Sequence, residues 1–312
     1  DPTKKSIPYE SSTTLQVQEL LPGDELMRRV IDDLTEAERL LGNDPIITTT
    51  NHLVSHVTTE GDNFLEYRTL RMNYYAVQAL LARAYHYISS YAGERQQEYK
   101  AKAQSYAEGI INVASDHFPF VDKANVLGSP ANVDRIFATE VIFGLTNVNR
   151  NLLFKNNNDS DHSPQPVLRM KPELLEMPYF GGGDTYGGST DDYRYIANWK
   201  KNGNDYYFYK YADMADAGRI ENTIVPMIRL GEMYLIIADL YDEMSERPVM
   251  GSWVNKLRVH RGVEEMDEAT YAPRYLNYEV VRELYGEGQI FFFFKRNYSS
   301  ILKVFDPVSE FT

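Results

Sequence analysis

A pair of apolar helical patterns joined at one glycine constrains this chain more than any other feature. Residues 70–91 carry Tyr74, Val77, Leu81, Ala84, Tyr85 and Ile88 at three- and four-residue steps. That spacing puts these side chains on one face of a helix. Ala76, Ala79, Ala82 and Ala84 are small enough to let a second helix approach closely. Gly93 supplies the turn, and residues 94–113 resume the pattern with Tyr99, Ala103, Tyr106, Ala107, Ile110 and Ile111. The spacing predicts an αα-hairpin of about 40 residues, the size of one helical-repeat unit. Such a unit cannot bury its apolar face alone, so further helices must stack on it.

The rest of the chain supplies them on both sides. A helix is expected after Pro22-Gly23, with Asp24 as N-cap and Met27, Val30, Leu34, Ala37 and Leu41 on its apolar face. Residues 224–244 read as a broad-faced helix with Pro226 in its first turn, where the missing N–H costs little. Residues 251–260 and 278–285 read as further helices, and residues 289–294 form a dense apolar run. Between the two helical blocks, residues 115–222 lose the period. Residues 141–145 and 206–211 read as short strands there, and Asn156 to Asp159 as a loop. An irregular insertion of this length in a helical chain points to function.

Composition removes several classes. The net charge is −13 and the pI is near 5.0, without a basic stripe. Phosphate recognition needs clustered Lys and Arg, so nucleic acid is not expected, nor a polybasic membrane contact. The 312 residues contain no cysteine, which excludes a disulfide scaffold, a Cys-zinc site and a thiol nucleophile. It leaves the compartment open. No apolar run is long enough to span a bilayer. The chain starts at Asp1 without Met or an apolar leader, and reads as a processed or truncated product. The positive signal is aromatic: 24 Tyr, 14 Phe and 2 Trp. Such rings suit sugars and protein partners, and they suit helix packing equally.

Catalytic constellations are weak. His52 and His56 have the i, i+4 spacing a metal can use, but sit in a Thr-rich stretch without a third ligand. Asp159-Ser160-Asp161 offers two acids of a calcium loop without its closing Glu. Gly181-Gly182-Gly183 lacks the Lys-Ser/Thr of a phosphate loop. No cofactor is expected. The 45 acidic residues are too many for sequence to select a glycosidase pair. The better constellation lies in residues 179–199, where Tyr179, Tyr186, Tyr193, Tyr195 and Trp199 interleave with Gly, Asp191 and Asp192. Flat rings beneath the C–H face of a sugar, with carboxylates for its hydroxyls, make a glycan site. These seven residues are the expected ligand contacts.

Several motifs then resemble a known family in its own order. Val225-Pro226 with Arg229, Glu232, Leu235 and Ala238 is similar to the V-P-x-x-R-x-x-E-x-x-L-x-x-A pattern of SusD/RagB-like nutrient-binding outer-membrane lipoproteins. Asn255 to Gly262 resembles its N-x-x-R-x-R region with one residue of extra spacing. Arg282-Glu283-Leu284 with Glu287-Gly288 resembles its R-E-L-x-x-E-G signature. Asp33-Leu34 with Ala37 resembles the D-L-x-x-A helix, and residues 73–91 the Ala-rich helix that begins the repeats. Ile290 and Phe293 stand where many members carry Arg and Asp, which marks a divergent subgroup.

The resemblance implies a mainly α fold: TPR-like αα-hairpins packed as a right-handed superhelix, with a loop-rich cap containing short strands. It implies one SusD-like domain over 1–312, with a helical-repeat body at 24–113 and 223–296 and a ligand-binding cap at 115–222. It implies a non-enzymatic cell-surface lipoprotein of the outer membrane that binds a glycan for a SusC-like TonB-dependent transporter. Its anchor would be an N-terminal lipidated residue upstream of Asp1, the only contact with the membrane. Arg229, Glu232, Arg258, Glu287, Lys295 and Arg296 would be structural, as buried ion pairs and caps. Two alternatives stay open: a helical-repeat module that holds a protein partner, and a carbohydrate-active enzyme.

Overall fold

Asn73 shows how the helical stack is started. Its side chain accepts the Ala76 N–H at 2.8 Å and so caps a helix, while its Nδ2 donates to the Ile142 carbonyl at 3.0 Å. One fully buried amide thus ends a loop, begins a helix and ties it to a strand far along the chain. Asp44 does similar work nearby, gripping Arg68 at 2.6 Å and the Tyr74 N–H at 3.1 Å.

The computed structural model describes residues 3–10, 13, 17–50, 66–161, 167–180, 188–243, 246–271 and 273–297. A short antiparallel pair comes first, β1 (Lys5–Pro8) with β2 (Leu20–Pro22). Three helices follow: α1 (Gly23–Leu40), α2 (Tyr74–Ser89) and α3 (Gln96–His117). Helix α4 (Lys123–Leu127) leads to β3 (Val141–Thr146). The irregular region adds α5 (Arg150–Asn157), α6 (Pro172–Phe180), α7 (Tyr193–Asn198), and the hairpin β4 (Trp199–Asn202) and β5 (Asp205–Phe208). The chain returns through β6 (Ile224–Arg229) to α8 (Leu230–Glu243), α9 (Arg247–Val259), α10 (Pro273–Leu284) and α11 (Ile290–Arg296).

The molecule is mainly helical, as expected. Helices α1, α2, α3, α8 and α9 stack in that order, each packed on the next, and α10 also lies on α8. Their shared core holds Val77, Leu81, Ala103, Ile110, Leu230, Ile237, Val254 and Leu257, all essentially excluded from water. The alanines of α2 and α3 set this close approach. The chain leaves the stack along β3 and re-enters along β6, which pair antiparallel from Val141↔Arg229 to Thr146↔Ile224.

Three expectations change. Residues 224–229 are a strand and not the first turns of a helix. Ile224, Pro226 and Ile228 are buried while Val225 and Met227 are half-buried, so side chains alternate with period two. Pro226 is tolerated because among the described residues it belongs to a two-stranded ribbon. Asp24 is not the N-cap of α1: Pro22 holds that position, and Asp24 lies in the first turn with its carboxylate on the Glu25 N–H. Residues 156–157 close α5 instead of lying in a loop.

Candidate ligand-binding site

A web of buried arginines and glutamates joins the irregular region to the helical stack. Arg194 on α7 meets Asp192 at 2.6 Å, Glu279 at 2.9 Å and Glu283 at 3.2 Å. Arg261, just past α9, bridges Glu140 and Glu283 at 2.6 and 2.7 Å. Arg229 takes Glu283 and Glu287, and Arg258 takes Glu279 at 2.8 Å. Lys210 completes the web on Glu287, and burial pushes its ammonium down to about 8. The family-like residues Arg229, Arg258 and Glu287 are therefore buried ion pairs. So is Glu232, held by Arg83 at 2.6 Å, and so is Arg296, held by Asp239. Lys295 differs: it is exposed, with its ammonium over the Phe291 ring. The web consumes Asp192, which is 1% exposed, caps α7 through the Arg194 N–H and neutralises the Arg194 guanidinium. Its carboxylate has no free face for a sugar hydroxyl.

The aromatic residues divide around α7. Tyr193 and Tyr195 are two positions apart, so they leave the helix in different directions. Tyr193 packs against the cluster of Val121, Val126 and Phe137, and its ring lies against Gly262. Gly262 has φ +72°, and a Cβ there would meet that ring at 2.4 Å. Tyr195 faces the other way, with ring centroids 5.4 Å from Tyr179 and 6.4 Å from Tyr206. Its phenol is pushed up to about 12, first by burial and then by hydrogen bonding with Tyr206. Tyr179 is 3% exposed, and burial raises its pKa as well. Asp191 stands exposed at the edge, its N–H donating to Ser189 Oγ. Tyr186 lies outside the described residues.

Trp199 ends α7 and begins the β4–β5 hairpin, whose turn uses Gly203 at φ +62°. The indole is half-buried between Phe208 and Tyr285, each with centroids 5.1 Å away. Phe208 and Tyr285 in turn meet edge-on at 4.8 Å. Tyr211 extends this wall, donating its hydroxyl to the Gly286 carbonyl at 2.8 Å. The hollow behind Trp199, bounded by Leu175, Pro178, Tyr179 and Tyr285, measures only about 10 Å³. It is too small for a sugar ring, so Trp199 offers a surface platform and not a pocket. Tyr179, Tyr195 and Trp199 are brought into one neighbourhood, while Tyr193 and Asp192 are not. Phe208, Tyr211 and Tyr285 join the wall unforeseen. The Tyr206-Tyr207-Phe208-Tyr209 run was their only signal, and Tyr285 had none apart from its motif.

Metal chemistry finds little support in the side chains. Lys200 Nζ occupies the Asp161 carboxylate at 2.5 Å, and Tyr209 donates to Asp159 at 2.7 Å, so the two acids already have a cation and a donor. Among the described residues no group of three His, Asp or Glu side chains converges. His52 and His56 lie outside them. No helix among the described residues is long and apolar enough to cross a membrane.

The profile of the SusD family matches residues 147–311, more than half of the chain. The chain belongs to the SusD family. A SusD superfamily protein from Bacteroides thetaiotaomicron is similar in structure, with TM-score 0.65, 16% identity, and coverage of 95% of this chain and 61% of that one. A SusD-like carbohydrate binding protein from Bacteroides vulgatus gives 0.61 at 16% identity, covering 96% and 58%. Surface glycan-binding protein A from Bacteroides uniformis gives 0.64 at 14% identity, covering 96% and 64%. At these identities the likeness is one of fold, and it spans nearly the whole chain. The SusD-family chain spans about three-fifths of the length of these structures. No curated protein matches it.

Proposed function

We propose that this SusD-family chain binds a glycan at the cell surface, without catalysis, for delivery to a SusC-like TonB-dependent outer-membrane transporter. The observation that carries the reading is the family match over residues 147–311, which includes the aromatic wall of Trp199, Phe208 and Tyr285. The carbohydrate and glycan binding named for similarly folded Bacteroides proteins supports it. In this reading Trp199 and Tyr195 stack on the ligand, and Asp191 takes hydroxyls at the rim. Tyr179 backs the platform, and Tyr193 and Asp192 hold α7 in place behind it. The fully buried carboxylates Asp192, Glu279, Glu283 and Glu287 are each held by arginine, which fits a structural role for them in this reading.

The test is equilibrium titration of a glycan panel, with analysis of released sugars. Saturable binding, at least about tenfold weaker in Trp199→Ala and without hydrolysis, is the expected result. Unchanged affinity in Trp199→Ala removes the platform from the site, and sugar release would replace binding with catalysis. A partner-holding role gains from α11, where Phe291 and Phe292 are 64% and 48% exposed beside Tyr87. Co-purification of a stoichiometric transporter subunit tests that contact.

A further inference from the structure

Helices α1 and α3 both pack on α2, and between them runs an open groove of about 620 Å³. That volume falls within the range of about 300–1,000 Å³ typical of small-ligand sites. It is remote in the chain from the Trp199 wall and shares no residue with it.

Its lining has two stripes. Arg95 at the N-cap of α3 and Tyr99, Lys102 and Tyr106 along the helix recur at i, i+4, i+7 and i+11, so aromatic and cationic groups alternate along one face. On α1, Arg28, Asp32 and Glu36 face them. The floor is Tyr85 of α2, 5% exposed. The Tyr85 and Tyr106 rings are nearly parallel, 9° between planes and 6.1 Å between centroids, and Tyr99 lies 5.4 Å from Tyr85. Tyr106 donates to Glu38 of α1 at 3.0 Å, which closes one end. Tyr99 and Tyr106 are two helical turns apart, so ring contacts repeat along the groove at about 10 Å.

The charges decide the ligand class. Arg28 pairs with Asp32 at 3.4 Å, and Arg95 and Lys102 both pair with Glu98, at 2.9 and 3.1 Å. Glu36 pairs with Arg39 at 2.6 Å. With Glu38 counted, the four cations Arg28, Arg39, Arg95 and Lys102 meet the four carboxylates Asp32, Glu36, Glu38 and Glu98, so the rim is rich in donors and acceptors yet neutral in sum and offers a charged ligand no net attraction. Flat rings flanked by such groups match the mixed C–H and hydroxyl surface of an uncharged sugar chain. We propose that the α1–α3 groove is a second carbohydrate site, for a neutral oligosaccharide lying along α3 over Tyr99 and Tyr106, with Tyr85 packed beneath them. It shares only the ligand class with the Trp199 platform.

Calorimetric titration of the whole chain with maltohexaose, cellohexaose, mannohexaose and xylohexaose tests it. Ser105→Trp fills the groove from an exposed position without touching the core, and Tyr99→Ala removes one ring. At least one hexaose should bind the parent, with affinity reduced about tenfold or more in both variants and the groove component retained in Trp199→Ala. The bound hexaose should also protect Tyr99 from nitration by tetranitromethane, read by peptide mass. No binding by any of the four, or binding that Ser105→Trp leaves unchanged, overturns the groove. Loss in Trp199→Ala alone assigns the sugar to the platform and also overturns it.

Discussion

Glu279 illustrates what single residues do here. Burial by itself would raise its pKa, but Arg194, Arg282 and Arg258 overcome that and hold the carboxyl at about 2. The folded value lies below the ordinary 4.5, so the stabilisation is complete above pH 4.5 and is lost as pH falls towards 2. The shift corresponds to roughly 3 kcal/mol. Urea unfolding between pH 5 and pH 2.5 should show this acid limb, and Glu279→Gln should flatten it. The same variant leaves three guanidiniums short of a carboxylate and should cost about 3–5 kcal/mol at pH 7. An acid limb of equal depth in the variant would show that other carboxylates carry it. The roles of Arg229 and Glu287 as buried pairs could be expected from their family-like motifs. Asp192 could not, because a carboxylate among tyrosines reads alike in sequence whether it meets solvent or Arg194.

At the scale of elements, the long apolar helices were legible and the strand β6 was not. Ile224, Val225, Pro226, Met227 and Ile228 are all apolar, so periods of two and of 3.6 fit them equally. The choice was made by β3, whose Gly144 lets the partner strand come close: a Cβ there would meet Ile224 at 2.9 Å. The joint between α9 and α7 depends on another glycine. Gly262→Ala combines a left-handed φ with a collision against the Tyr193 ring and should cost at least about 2 kcal/mol. Gly203→Ala has a similar φ with nothing within 4 Å and should cost only about 1 kcal/mol. Thermal unfolding of the two variants side by side reads the difference. Equal losses would mean that Tyr193 moves aside and does not hold α7.

For the whole molecule, the consequence of the web is that the irregular region and the helical stack cannot come apart cheaply. Glu140, Asp192, Arg194 and Lys210 belong to the first, and Arg229, Arg258, Arg261, Glu279, Glu283 and Glu287 to the second or its edge. The two tryptophans report the two parts, Trp199 on β4 and Trp253 on α9. Denaturation followed separately in Trp253→Phe and Trp199→Phe should give coincident midpoints, once each variant's own stability is measured by circular dichroism. An earlier transition at Trp199 alone would make the cap an independent unit. The helices of the stack are legible in the sequence, since apolar periodicity and small residues at contact faces are local properties that need no knowledge of the partner. So is the family, through motifs spaced along the chain. Which aromatic rings reach the surface, which carboxylates arginine consumes, and that Tyr85, Tyr99 and Tyr106 line an open groove follow from packing between distant parts of the chain. Burial of a polar or aromatic side chain depends on what packs against it from elsewhere in the chain, and no local spacing encodes that neighbour.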